Sequence, residues 1–440
     1  MQINQSESEE PVLVTKLSHD GRGIAHIEGK TTFVFGALSG EKVAIKYINR
    51  RSKFDEAAVT NIIEASPERI APSCAFFGAC GGCSLQHMDQ EAQIRFKQSV
   101  LLEQLEHFGK VKPENILEPL VSGPYGYRRK ARYSVRYVAK KERVLIGFRE
   151  LHQPRFLADI DSCQVLHPKL GMIIKPLQDC LAKLENKKHI AQIEAGVGDN
   201  ATALIFRHLE AMSLHDRDIL IEFAREFNIW LFLQPGGYKT IHKIYPVDQD
   251  IYLTYDIGDN ILLYFFPSDF TQINNNINRQ MIQQALKFLE LAPHDIVLDL
   301  FCGIGNFSLP IARKCAHVIG VEGEAAMVQR ASMNAERNNI HNINFYKADL
   351  SQPETLGTLI HNKNYNKILI DPPRSGAKAL VENLNLDNVS TIVYVSCNPS
   401  SLARDAGILV GRGFRLAHVG VMDMFTHTEH VEAMAVFKRL

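Results

Sequence analysis

The sequence predicts a multidomain α/β protein. An N-terminal OB-like β-barrel is expected over residues 4–66, a cysteine-bearing loop with a central α+β domain over 67–265, and a Rossmann-like domain over 266–440. Three observations carry this. Short apolar alternations broken by turn residues fill residues 12–65, the pattern of a small all-β barrel. A C-x5-C-x2-C run follows, with glycines between its cysteines. From His294 onward, a buried-strand pattern runs into a glycine turn and a helix, and a second strand ends in an acid about twenty residues later.

Composition sets the outer limits. The chain has 440 residues, 45% hydrophobic and 22% charged, enough to bury more than one core. Its net charge is zero, so any nucleic-acid contact must be argued from local charge. There is no run of 18 apolar residues and no internal repeat. The start, MQINQSESEEP, is polar and acidic, the opposite of a signal peptide. Eight cysteines in such a chain point to metal binding or chemistry rather than disulfides, and to a cytoplasmic protein.

In the barrel, Thr31 to Phe35 and Lys42 to Tyr47 are the clearest strands. Lys46, Arg50, Arg51 and Lys53 offer cations for phosphates, as OB-folds do, or a solvated basic edge. The fragment GIAHIEGKTTFVFGALSGEKV resembles a TRAM domain, an OB-like RNA-binding barrel. In the next loop, Cys74, Cys80 and Cys83 are separated by small residues that let thiolates converge on a metal. Three thiolates leave one ligand missing from a four-cysteine site. Cys163, in the polar turn Asp161-Ser162-Cys163, is the best candidate, whereas Cys180 falls in an apolar helical pattern and reads as core. Zinc also takes four cysteines. The spacing with a distant fourth ligand resembles the [4Fe–4S] sites of bacterial 5-methyluridine RNA methyltransferases, which implies a [4Fe–4S] cluster here.

Residues 88–109 have helical periodicity, with Ile94, Phe96, Leu101, Leu105 and Phe108 largely on one face and Gly109 as C-cap. Residues 125–155 then carry ten basic side chains against Glu142 and Glu150, interleaved with Tyr125, Tyr127, Tyr133, Tyr137 and Phe148. Cations with aromatic stacking surfaces suit a single-stranded RNA reader, and a charged outer sheet face is the competing reading. Residues 193–263 alternate short strands with a helix at 216–227 and show no catalytic constellation.

In the C-terminal part, the strand Asp295 to Leu300 leads into Phe301-Cys302-Gly303-Ile304-Gly305-Asn306. The full G-x-G-x-x-G of a dinucleotide site is absent. Glu322 tips the next strand, where a carboxylate can accept both ribose hydroxyls. Asp349 and Asp371 end two more. Acid-tipped strands without the third glycine suit S-adenosylmethionine (SAM) better than NAD. The strand Thr391 to Val395 ends at Ser396-Cys397-Asn398-Pro399, and Pro399 forces a turn at Asn398. Cys397 thus sits at the carboxyl edge of the sheet, where a thiolate can meet a substrate. A buried, inert cysteine is the competing reading, and Cys302 and Cys315 are read that way.

Together LDLFCGIGNFSLPIA, DPPRSG, VSCNPSSLARD, EHVEAMAVF and the FxQxN run Phe270 to Asn274 resemble the RNA uracil-C5 methyltransferases, across nearly the whole chain. The barrel and cluster cysteines are most similar to members acting on 23S rRNA. The resemblance implies SAM contacts at Gln272, Phe301, Asn306, Glu322 and Asp349, with Asp371 bordering SAM and the target base. It also implies Cys397 as the nucleophile adding to uracil C6 and Glu432 as the base removing the C5 proton. Taken alone, Glu432 reads as a surface carboxylate before a final strand, Ala433 to Phe437. The expected function is therefore SAM-dependent methylation of a uridine in 23S rRNA. The same chemistry on tRNA or another rRNA uridine, or a non-enzymatic iron–sulfur RNA-binding protein, are the alternatives. A single-stranded or loop RNA partner is expected, and no obligate protein partner.

Overall fold

The computed structural model describes residues 11–247, 250–352 and 364–440. The acidic start of the chain, including the expected domain boundary at residue 4, lies outside the described residues. The chain forms two units. The first comprises Met1–Val100, Phe148–Ala158 and Phe425–His430, and the second Leu101–Gly147, Asp159–Met424 and Val431–Leu440. No helix among the described residues is long and apolar enough to cross a membrane.

In the first unit, six strands from Val12–Leu13 to Phe54–Glu64 form one mixed sheet. Alternate residues point inward, so Val14, Val34, Val43, Ile45 and Ala57 make a small aliphatic core. The hairpin between Gly23–Ile27 and Lys30–Phe35 turns on Glu28 and Gly29, both at positive φ, the two-residue turn whose twist matches its strands. The cysteine-bearing loop is held by its own backbone bonds. Cys80 N donates to Phe76 O at 2.9 Å and Gly81 N to Arg149 O at 2.8 Å.

The second unit carries two large sheets. One orders His242–Tyr245, Ile229–Gln234, Thr202–His208, Ile190–Val197, Lys130–Val138 and Arg143–Gly147. The helix Leu214–Glu226 agrees with the sequence expectation to within two residues, and Ser213 caps it by accepting from Asp216 N. The eight-stranded sheet orders Ile343–Lys347, His317–Glu322, Ile296–Leu300, Lys367–Ile370, Thr391–Ser396, Glu432–Arg439, Phe414–Met422 and Asn115–Ile116. The first five run parallel, the inner four of them buried as near-continuous apolar runs with Ile343–Lys347 at the edge, while Glu432–Arg439 enters antiparallel to Thr391–Ser396. Strand order reverses at Ile296–Leu300, and the crevice at such a reversal is where open α/β sheets bind ligands.

The helix expected over 88–109 is divided. A regular α-helix, Gln90–Gln104, passes into a wider turn, Leu105–Gly109. That widening breaks the periodicity and leaves Phe108 exposed instead of on the apolar face. The left-handed cap is Lys110, not Gly109. Gly109 serves close approach instead, because a Cβ there would lie 2.5 Å from Ala403 O. Gly407 makes the reciprocal fit, its Cβ position lying 2.8 Å from Gly109 O. This pair seats the helix Pro399–Gly411, which begins just after Cys397. Gly109→Ala is expected to lower the unfolding free energy by about 1–3 kcal/mol in urea titration, since backbone rather than a flexible side chain must yield.

Candidate active site

Phe301, Glu322, Asp349, Asp371 and Cys397 lie at or just past the carboxyl ends of the five parallel strands. After Ile296–Leu300, Phe301 takes φ 61°, a left-handed value unusual for a non-glycine residue, and Gly303 and Gly305 follow at 55° and 94°. A Cβ at Gly303 would meet nothing within 4 Å, so this backbone lies open like a cradle for a ligand. Glu322 closes one side. Its Oε2 accepts from Gly303 N at 3.1 Å, and its Oε1 from Gly323 N at 2.8 Å and Glu324 N at 3.1 Å. Those bonds aim a carboxylate beside an open glycine turn, an acceptor that fits the ribose hydroxyls of a nucleoside cofactor.

Asn306 has side-chain partners within the protein. It exchanges two 2.9 Å hydrogen bonds with the buried Asn278, and its Oδ1 also accepts from the Tyr255 hydroxyl at 3.2 Å. It therefore ties the glycine turn to the helix Asn275–Leu289. Gln272 stands half-buried just before that helix. The buried Asn274 caps the helix by accepting from Ile277 N at 3.3 Å and donates to Ser122 Oγ at 3.0 Å. Asp349 is exposed beyond Ile343–Lys347, and its carboxylate accepts from the Ser351 amide and hydroxyl and from Gln352. Those Ser351 hydrogen bonds hold its pKa below the usual value.

Cys397 lies one residue past Thr391–Ser396, and Glu432 opens the strand paired with it. Ser396 pairs with Ala433 as the last step of that ladder, and Cys397 and Glu432 are the residues that flank it, near enough for the Glu432 charge to act on the thiol. Glu432 is buried, not a surface carboxylate. The half-buried Cys397 sits where the chain turns into the helix Pro399–Gly411. The cap of that helix, Asn398, accepts from Ser400 N at 3.1 Å and donates from Nδ2 to Arg374 O at 2.8 Å, tying the turn to the Asp371–Arg374 loop. The same loop is fixed from below. Buried Asp405 accepts from the Tyr394 hydroxyl at 2.6 Å, from Ala377 N at 2.7 Å and from Arg404.

Electrostatics couples these groups. Desolvation, with the charges of Glu432 and Asp371, pushes the Cys397 thiol up to about 11, and Arg374 opposes this. Burial first, and then Asp371, raises Glu432 well above the carboxylate range. Desolvation lifts Asp371 to about 7. Asp299, inside the buried strand Ile296–Leu300, also rises to about 7, chiefly through burial, although the Ser308 hydroxyl donates to it. The charges of Asp371 and Glu432 thus act together on the Cys397 thiol, with Arg374 opposing them.

The cysteines expected to bind metal behave differently. Cys80 Sγ accepts from Gly82 N at 3.4 Å and Cys83 Sγ from Gln86 Nε2 at 3.3 Å, while Cys74 N donates to Gln86 Oε1 at 3.3 Å. Amide donors aimed at sulfur suit thiolates. Among the described residues, however, no three His, Cys, Asp or Glu side chains form a group able to hold a metal. The local amides of Gly82 and Gln86 point at the sulfurs of Cys80 and Cys83. Cys163 is half-buried, its backbone bonded to Gly171 O at 3.1 Å. Cys180, Cys302 and Cys315 are buried core residues, as their apolar contexts suggested.

Comparison with known proteins decides the family. The model described as tRNA (Uracil-5-)-methyltransferase matches residues 91–440, and that of the TRAM domain residues 6–54. This chain belongs to the RNA uracil-C5 methyltransferase family. It is 49% identical to the 23S rRNA (uracil(1939)-C(5))-methyltransferase RlmD of Legionella pneumophila (strain Lens), over 97% of this chain and 96% of that protein. The protein of that name from Hahella chejuensis is 47% identical with the same coverage. Among solved structures, the tRNA (uracil-54, C5)-methyltransferase of Pyrococcus abyssi, in complex with S-adenosyl-L-homocysteine, matches with a TM-score of 0.72. That match covers 97% of this chain and 100% of that one at 22% identity, a likeness of fold.

For this family member, sequence reasoning missed Asp299, Asn278, Tyr255 and the charge role of Arg374. Asp299 had a signal, an acid inside an otherwise apolar buried strand; Tyr255 and Asn278 act through partners distant in sequence. Two of the aromatic residues read as stacking surfaces are core instead: Tyr127 and Tyr133 are buried, and the Tyr133 hydroxyl donates to Leu170 O at 3.0 Å. Several cations of that stretch are already paired, Arg129 with Asp199 at 2.6 Å and Arg132 with Glu194 at 3.1 Å. Because the Glu432 charge raises the Cys397 thiol, Glu432→Gln is expected to move the rise of Cys397 alkylation by iodoacetamide to lower pH. Peptide mass spectrometry across a pH series would show the shift.

Proposed function

We propose that this chain is a SAM-dependent methyltransferase that converts a specific uridine of 23S rRNA into 5-methyluridine. The relatives of nearly full coverage bear that activity in their names. The observation that carries the mechanism is the Ser396–Ala433 pair, flanked by Cys397 and Glu432, whose charge acts on the thiol. In the division proposed here, residues 4–66 and the central domain hold RNA, and residues 266–440 perform the transfer. The open turn at Phe301–Gly305, with Gln272, Asn306, Glu322 and Asp349, would hold SAM. SAM supplies an electrophilic methyl group.

Uracil C5 is a poor nucleophile. The Cys397 thiol loses its proton to solvent, and its sulfur adds to C6, breaking the C5–C6 double bond and moving electrons toward O4. C5, now enolate-like, can accept the methyl group. Glu432, as carboxylate, removes the C5 proton; the C5–C6 double bond re-forms, and the C6–S bond breaks to return the thiolate. One proton is released overall. Asp371 borders the base, and Arg374 offsets negative charge as the sulfur ionises. The uridine must leave its stack, at a cost of a few kcal/mol, less in a loop.

Cys397→Ala is expected to bind RNA and SAM but form no 5-methyluridine. Glu432→Gln is expected to stall after methyl transfer, leaving an RNA–protein adduct that survives denaturing electrophoresis. Formation of 5-methyluridine by Cys397→Ala would remove the nucleophile assignment. Mapping 5-methyluridine by mass spectrometry in a deletion strain separates 23S rRNA from a tRNA substrate.

We further propose that Cys74, Cys80, Cys83 and Cys163 are ligands of a [4Fe–4S] cluster whose role is structural. The sulfur-directed amides of Gly82 and Gln86 support it. Protein purified without oxygen is expected to contain about four irons per chain. Cys83→Ala should lose iron and melt at lower temperature, and iron-free wild-type protein of unchanged stability would refute the assignment.

A further inference from the structure

The first unit contains a cavity of about 700 Å³ that the methyl-transfer chemistry does not use. Barrel residues Arg22 and Phe35 line it, with Phe77 and Ser84 of the cysteine-bearing region, His152 and Glu429. We infer that this cavity binds one unpaired nucleobase of the RNA substrate, of the kind that carries an exocyclic amine. The inference rests on the RNA-modifying function proposed above and concerns a nucleotide other than the methylated uridine.

Flat walls come first. Phe35 meets the His152 ring edge-on at 5.1 Å, and Phe77 lies tilted against buried His87 at 5.3 Å. Arg22 adds a rigid planar cation. Its Nε and Nη2 bind Asp20, its Nη1 binds Glu56 at 3.0 Å, and its guanidinium lies 4.5 Å from the Phe33 centroid and 5.3 Å from that of Phe35. With all three nitrogens committed, Arg22 offers a stacking plane rather than a phosphate clamp. Gly36 and Gly78 supply open backbone. Both have positive φ, and a Cβ on either would meet nothing within 4 Å.

Glu429 gives the cavity its chemical preference. Its Oε2 accepts from Ser84 Oγ at 2.5 Å, and its backbone N donates back to that hydroxyl at 3.1 Å, so the carboxylate is held in place. A fixed carboxylate repels phosphate and calls for N–H donors. Adenine, cytosine and guanine each present an amine on the Watson–Crick edge. Uracil presents a single N–H between two carbonyl oxygens, which a carboxylate repels. A volume of this size holds a base together with its sugar.

The test uses full-length protein and four labelled RNA heptamers, UUUUUUU and the same chain with A, C or G at its centre, followed by fluorescence anisotropy. At least one substituted heptamer is expected to bind about tenfold more tightly than UUUUUUU. Glu429→Ala and the cavity-filling Ala58→Trp should each erase that preference without changing affinity for UUUUUUU. Phe77→Ala, which leaves the barrel untouched, serves as a third variant should Ala58→Trp melt early. On long RNA these variants should raise KM and leave kcat in place. Equal binding of all four heptamers, or a preference surviving in every folded variant, overturns the inference. Because the readout is binding, it stands apart from the 5-methyluridine map: a missing methyl mark would overturn the enzymatic reading and leave the base preference measurable.

Discussion

The antiparallel pairing of Thr391–Ser396 with Glu432–Arg439 is the constraint on which the site depends. In a strand pair, side chains alternate between faces, so a slip of one residue would send Glu432 to the opposite face from Cys397. Both strands are buried almost throughout, and such burial makes a slip costly. Packing in the sheet core thus sets the placement of the acid–thiol pair, with the functional atoms at the rim of a register fixed elsewhere.

Around that pair, the loops are held by polar groups that themselves have no chemistry to perform. Asp405 gathers the Tyr394 hydroxyl, the Ala377 amide and Arg404, and so braces the loop that carries Asp371 and Arg374. Asn398 joins that loop to the turn bearing the thiol. Asn278 and Tyr255 do the same for the glycine turn through Asn306. A buried carboxylate or amide with its hydrogen-bond capacity filled specifies one geometry, because any shift leaves an unsatisfied group in a dry region.

Much of this was legible in the sequence. Lys367–Ile370 and the strands ending near Leu300, Glu322 and Ser396 announced themselves as short apolar runs tipped by glycine, acid or cysteine, because parallel strands are buried on both faces. Other features were hidden for physical reasons. The burial of Glu432 depends on a partner strand dozens of residues away. Basic and aromatic residues at 125–155 looked like an RNA surface, yet the pleat of Lys130–Val138 turns Tyr133 inward, and Asp199 and Glu194 answer two of the cations. Glycine 109 resembled a helix stop because the close approach of Ala403 cannot be read from local sequence.

In the mechanism proposed above, the electrostatics of the rim serve two steps with opposite needs. With the thiol near 11, only about one sulfur in ten thousand is ionised at pH 7, so the resting site disfavours attack. The same burial and acidic company that hold the proton on sulfur also raise Glu432. A carboxylate of raised pKa is the stronger base when the C5 proton must leave. More positive charge would ease the first step and weaken the second. One guanidinium, Arg374, opposes the rise at both Cys397 and Glu432, an intermediate setting between those two needs.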